Sequence, residues 1–98
     1  MKLKSGTDVG GIKPEIIVAM ISCLTVVPKY GPFTITSIVD GEHKKGSLHP
    51  EGLAIDVRTR DMKPGAAEKC VRELQDALGL QYDVLFEGDH IHIEWDHE

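Results

Sequence analysis

The sequence predicts an α+β fold, a small antiparallel sheet with helices packed on one side. Three observations point there. Residues 14–27 and 66–78 read as helices, the first from a long apolar run and the second from an apolar stripe at helical spacing. Residues 33–39, 53–59, 83–86 and 90–95 read as strands. The resulting order is helix, strand, strand, helix, hairpin, which suits helices laid on one side of an antiparallel sheet.

The elements follow in turn. Residues 1–11 are polar and glycine-containing, and read as an extended or poorly ordered arm. Pro14 suits a first helical turn, where its missing N–H costs nothing, and Glu15 suits the positive end of the helix. Pro28 stops this helix at about Val27. Being apolar on most sides, the helix is expected beneath other elements. Tyr30, Gly31 and Pro32 form a turn, and the strand that follows is rich in β-branched residues. Residues 40–46 form a polar loop.

In the second strand Leu53, Ile55 and Val57 share one face, and Ala54, Asp56 and Arg58 the other. A loop over residues 61–65 leads to the second helix. There Ala67, Cys70, Val71, Leu74 and Leu78 form the stripe, and Gly79 is the stop. Glu87, Gly88 and Asp89 turn the closing hairpin. On its last strand His90, His92 and Glu94 share one face, and Ile91, Ile93 and Trp95 the other.

The chain has 98 residues, the size of a single domain. Burial alone leaves a core this small only marginally stable, so a bound metal would add to it. The net charge of −5 argues against nucleic acid or a membrane surface as partner. Lys44 and Lys45 form the one notable basic cluster and read as a solvated loop. Cys23 and Cys70 lie in apolar helical patterns and read as buried free thiols, a disulfide between them being the alternative. No C-x-x-C pair supports a zinc finger. Residues 16–27 follow Lys2, Lys4 and Lys13 as a signal-peptide core would. However, Asp8 and Glu15 interrupt the leader, no small-residue cleavage site follows, and the run is too short to span a bilayer. The expectation is a buried helix, no signal peptide and synthesis in the cytoplasm.

The candidate site comes from two distant segments. Asp56 sits between Ile55 and Val57, where an unpaired carboxylate near a core is costly. A metal ion removes that cost. His49 precedes this strand, and His92 arrives on another. Two imidazoles and a carboxylate, His49, His92 and Asp56, form a zinc ligand set with a fourth position open to water. Such a site hydrolyses amides or esters. Asp89, three residues before His92, is the candidate general base, with Glu87 as its rival. His90 faces the same way as His92 and is placed to donate to a developing oxyanion. Ser47 could bind a substrate carboxylate or carbonyl.

Each residue also has a plain structural reading. His90 and His92 alternate as exposed positions on an edge strand would. Asp56 could pair with Arg58 or Arg60. Asp89 and Glu87 suit a turn, Ser47 could cap its loop, and Glu94, Asp96, His97 and Glu98 read as a solvated tail, with adventitious metal binding by His97 the exception.

The pattern Ser47-x-His49-x-x-Gly52-x-Ala54-x-Asp56, followed by Asp89-x-x-His92, resembles the zinc D-alanyl-D-alanine peptidases and the related L-alanyl-D-glutamate endopeptidases of phage endolysins. The run from Gly46 to Val57, with Phe86-Glu87 and His90-Ile91-His92, is also similar to the hedgehog signalling domain, which shares that fold. The resemblance covers roughly Pro14 to Trp95. It implies zinc held by His49, Asp56 and His92, an acid/base at Asp89 or Glu87, and a positioning or transition-state role for His90. Many such peptidases carry a substrate-binding arginine after the first strand's Thr-Ser. Here Thr36-Ser37 is followed by Ile38, Val39 and Asp40, leaving Lys44, Lys45, Arg58 or Arg60 as substitutes. Asp40 and Glu42 faintly echo the calcium-binding acidic cluster of hedgehog domains.

The expectation is therefore a monomeric zinc metallopeptidase acting on peptidoglycan stem peptides, reaching the wall by a phage-type release. A hedgehog-like module that holds zinc and binds a partner without hydrolysis is the alternative. A metal-free structural protein of a phage particle is the third reading.

Overall fold

The computed structural model describes residues 1–4, 13–38 and 54–95. It is an α+β fold, a five-stranded sheet with two helices packed against it. In chain order the elements are β1 (Lys2–Leu3), α1 (Pro14–Val26), a 3₁₀ turn (Val27–Lys29), β2 (Thr34–Ser37), β3 (Ala54–Arg58), α2 (Ala66–Leu78), β4 (Tyr82–Phe86) and β5 (His90–Trp95). The strands lie side by side as β1-β2-β3-β5-β4.

The sheet is mixed, not wholly antiparallel. Lys2–Leu3 pairs parallel to β2, where the sequence suggested only an arm. Two backbone bonds hold it, Lys2 N–H to the Phe33 carbonyl at 2.9 Å and Lys4 N–H to the Ile35 carbonyl at 2.8 Å. Two residues carry no readable alternation, so only the unpaired edge of β2 could specify this strand.

The antiparallel remainder is set by alternation. Ile35, Ile55, Val57, Ile91 and Ile93 are fully buried and point to one face. They form one core with Ile16, Ala19, Cys23 and Val26 of α1 and Cys70 and Leu74 of α2. Gly79, at φ 87°, ends α2 in a conformation that favours glycine, its N–H bonded to the Gln75 carbonyl at 2.9 Å. Gln75 then docks α2 on the outer edge of β4. Its Nε2 donates to the Tyr82 carbonyl at 2.7 Å and its Oε1 accepts from Val84 N–H at 3.2 Å. Main-chain groups on the outer edge of β4 are thereby satisfied.

α1 departs from the expectation of burial on most sides. One face is buried, but Ile17, Val18, Ile21 and Leu24 are exposed. A continuous apolar run has no stripe to say which side faces the core. The chain leaves α1 through the tighter turn containing Pro28. Cys23 and Cys70 are buried free thiols. Burial pushes them up to about 12 and about 11 respectively, so neither is a ready nucleophile. Among the described residues, no helix is long and apolar enough to cross a membrane.

Candidate metal centre

The face of the sheet turned away from the helices carries the titratable residues. β3 and β5 are antiparallel, with Asp56 opposite His92, Arg58 opposite His90 and Ala54 opposite Glu94. Directly opposed residues point to the same face. The isoleucines that alternate with them are locked in the core, so this register is the one that buries Ile55, Val57, Ile91 and Ile93 together.

His92 lies between two carboxylates. Its Nδ1 is 2.9 Å from Asp56 Oδ1 and its Nε2 is 2.9 Å from Glu94 Oε1. The His92 and Asp56 side chains are only 14% and 15% exposed. The Asp56 hydrogen bond, assisted by Glu94 and opposed by burial, raises the His92 pKa to about 9. Without metal the ring is therefore an imidazolium at neutral pH, donating from both nitrogens.

His90 lies one turn of the pleat away, with Nε2 3.8 Å from Asp56 Oδ1. Its Nδ1 is 2.6 Å from Asp89 Oδ1 and its Nε2 is 3.0 Å from Glu87 Oε1. Burial works against its charged form, but the Asp89 hydrogen bond, the Asp56 charge and the Glu87 hydrogen bond outweigh it and raise its pKa. The same His90 bond holds the Asp89 carboxyl below its ordinary value. The turn supports this cluster: Gly88 takes a φ of 90°, Glu87 N–H bonds to the His90 carbonyl at 2.8 Å, and Thr59 N–H reaches the Asp89 carbonyl at 3.2 Å.

The pair Asp56 and His92 fits a zinc ion. Zinc bonds to imidazole and carboxylate run about 2.0–2.2 Å, so two donors at a tetrahedral angle stand about 3.3 Å apart. The 2.9 Å found between Asp56 Oδ1 and His92 Nδ1 is within a few tenths of this. Glu94 on the other ring nitrogen is the carboxylate partner that metal-bound histidines characteristically have, fixing the ring and its tautomer. Among the described residues no group of three His, Cys, Asp or Glu side chains is arranged to hold a metal. The third expected ligand, His49, lies outside the described residues, as do Ser47, Asp40, Glu42, Lys44, Lys45 and His97.

The structure thus brings together Asp56, His92, His90, Asp89 and Glu87. The described partners of Asp56 are the two histidines, not Arg58 or Arg60. Glu94, which the sequence places on the last strand beside His92 but also groups with a solvated tail, lies in β5 and bonds to the His92 ring. Its spacing two residues from His92 on a strand was the available signal. Sequence reasoning also missed Lys4 and Thr36, which line a cavity with Arg58, Arg60, Asp89 and His90. No family model matches the chain, and neither the curated proteins nor the solved structures contain a match.

Proposed function

We propose that the chain is a zinc metallopeptidase of peptidoglycan stem peptides, with His49, Asp56 and His92 as ligands. The observation that carries this reading is the nearly buried contact of Asp56 with His92 across β3 and β5, backed by Glu94 on the far side of the ring. The motif spacing around His49 and before His92 adds to it. A zinc ion in such a site supplies Lewis acidity towards a carbonyl and a water.

The chain's own residues do the rest. Asp89, held ionised by His90, takes a proton from the attacking water. His90 donates an N–H to the carbonyl oxygen as negative charge develops. Glu87 shares the His90 ring edge that faces Asp56 and is the second candidate for the base. Ser47 binds the substrate from the segment between β2 and β3.

The alternative, a zinc-holding binding module without hydrolysis, has one observation in its favour. Both His90 nitrogens are occupied by carboxylates, so the proposed base and the oxyanion donor are engaged with each other. Digestion of purified peptidoglycan and defined muropeptides, read by product mass, separates the two. The metallopeptidase releases free amino groups, and Asp89→Asn keeps zinc while losing about 10²–10⁴-fold in rate. Wild-type release no higher than that of the no-protein control rules out the peptidase.

A further inference from the structure

The geometry points to a weak twofold dimer of this chain, formed by packing the outer face of α1 against the same face of a second copy. The two helices lie on one face of the sheet and share its core, yet their outer surfaces differ in kind. The exposed positions of α2 include Glu68, Lys69, Arg72 and Asp76, as suits a helix face turned to water. Those of α1 are Pro14, Ile17, Val18, Ile21, Leu24 and Thr25, with no charge among them. Ile17, Val18, Ile21 and Leu24 are between 45% and 59% exposed. A contiguous apolar patch of a few hundred Å² or more marks a contact surface.

The spacing says how this surface is covered. Pro14, Ile17, Ile21, Leu24 and Pro28 recur at alternating intervals of three and four residues. That is the seam along which two helices pack at a shallow angle of about 20°. The seam is symmetrical about Ile21, with Pro14 and Ile17 on one side and Leu24 and Pro28 on the other. An antiparallel second copy therefore meets it in register. Ile21 faces Ile21 at the twofold axis, and Ile17 faces the second copy's Leu24, an isologous contact.

Charge favours the same occupant. Lys13 is exposed at the N-terminal end of α1 and makes no capping bond there. The last turn of α1 carries no basic residue, and Lys29 beyond it is paired with Glu73. Antiparallel packing brings Lys13 of each copy to the partially negative C-terminal end of the other α1. The net charge of −5 argues against an anionic membrane on this face. An uncharged face also gives an unrelated protein no charged group to recognise.

Area sets the strength. Four side chains about half exposed bury a few hundred Å² per copy, against about 800 Å² per partner in a stable complex. The pair is therefore transient: the chain is a monomer when dilute and pairs at roughly 0.1–1 mM. The candidate metal centre lies on the opposite face of the sheet, so both centres stay open in the dimer. For a substrate that repeats one peptide, two centres on one particle raise the effective concentration at the second. That consequence rests on the metallopeptidase reading; the dimer does not.

Sedimentation equilibrium of the full chain, from about 10 µM to about 1 mM and without substrate, brackets the expected strength. Wild type should pass from monomer to dimer and no further, since a twofold contact closes. Ile21→Lys and Ile21→Glu should each stay monomeric at a melting temperature near that of wild type, Ile21 being the most exposed of the four. Mixed in equal amounts, these two variants should dimerise again as opposite charges meet at the axis. Leu80→Lys, at a side chain 98% exposed outside α1, should dimerise as wild type does. Wild type that stays monomeric at the highest concentration, or that grows beyond a dimer, overturns the proposal. So does dimerisation that survives Ile21→Lys, or a mixture of the two Ile21 variants that stays monomeric. Uptake of monomeric wild type onto phosphatidylcholine vesicles, lost in Ile21→Glu, assigns the face to lipid and overturns it equally. Absence of peptidase activity leaves the dimer standing, and a monomeric chain leaves the peptidase reading standing.

Discussion

β3 and β5 present two different surfaces from the same stretch of paired backbone. On the helix side Ile55, Val57, Ile91 and Ile93 are fully buried. On the other side Asp56, His90, His92 and Glu94 are part-exposed; hydrogen bonds join His92 to Asp56 and Glu94, and His90 Nε2 lies 3.8 Å from Asp56 Oδ1. The contrast teaches where the site's accuracy comes from. A one-residue slip between these strands would bury the histidines and expose the isoleucines, so the apolar face fixes the register and the polar face inherits it. His92 meets Asp56 because Ile91 and Ile93 pack opposite Val57 and Ile55.

Substitutions on the two faces should therefore fail in different ways. The largest effect on stability belongs to Ile93→Ala, next to His92 and fully buried. Denaturant unfolding should show a loss of about 2–5 kcal/mol, and a loss below about 1 kcal/mol would break the comparison. On the opposite face Glu94→Gln should leave the unfolding midpoint nearly unchanged and weaken zinc binding about 10–100-fold, read by competition with a chelating dye. An unchanged zinc affinity would remove Glu94 from the site.

The smallest effect lies outside both faces, at the part-exposed cluster of Lys29, Tyr30 and Glu73. Hydrogen bonds from Lys29 and then Tyr30 hold the Glu73 carboxyl below its ordinary value. A depressed carboxyl contributes stability above its unfolded pKa, and this is lost as pH falls through the folded value. Glu73→Gln should thus lower the melting temperature slightly at neutral pH, with the difference closing in acid. A difference that widens in acid would contradict that sign.

The alternation that separates the faces was also what made much of the fold legible. α2 could be read from its stripe and Gly79, and the hairpin from Gly88, because each carries a local periodic or conformational signal. The same alternation put His90, His92 and Glu94 on one face before any pairing was known. Strand β1 was not legible, since Lys2 and Leu3 have no pattern of their own and depend on a vacant edge of β2. Nor was the exposed side of α1, whose apolar residues run all round. Lys4 and Arg60 gain their place at the cavity only through non-local pairing, which spacing in the chain does not record.

The central claim is that Asp56 and His92, joined by His49, hold one zinc ion. Zinc titration of metal-stripped protein tests it most directly, with wild type, His49→Ala, Asp56→Asn and His92→Gln measured side by side. Wild type should bind one zinc tightly per chain, and each folded variant should lose on the order of 100-fold or more in affinity. Wild type that takes up no zinc, or variants that bind it as wild type does, would contradict it.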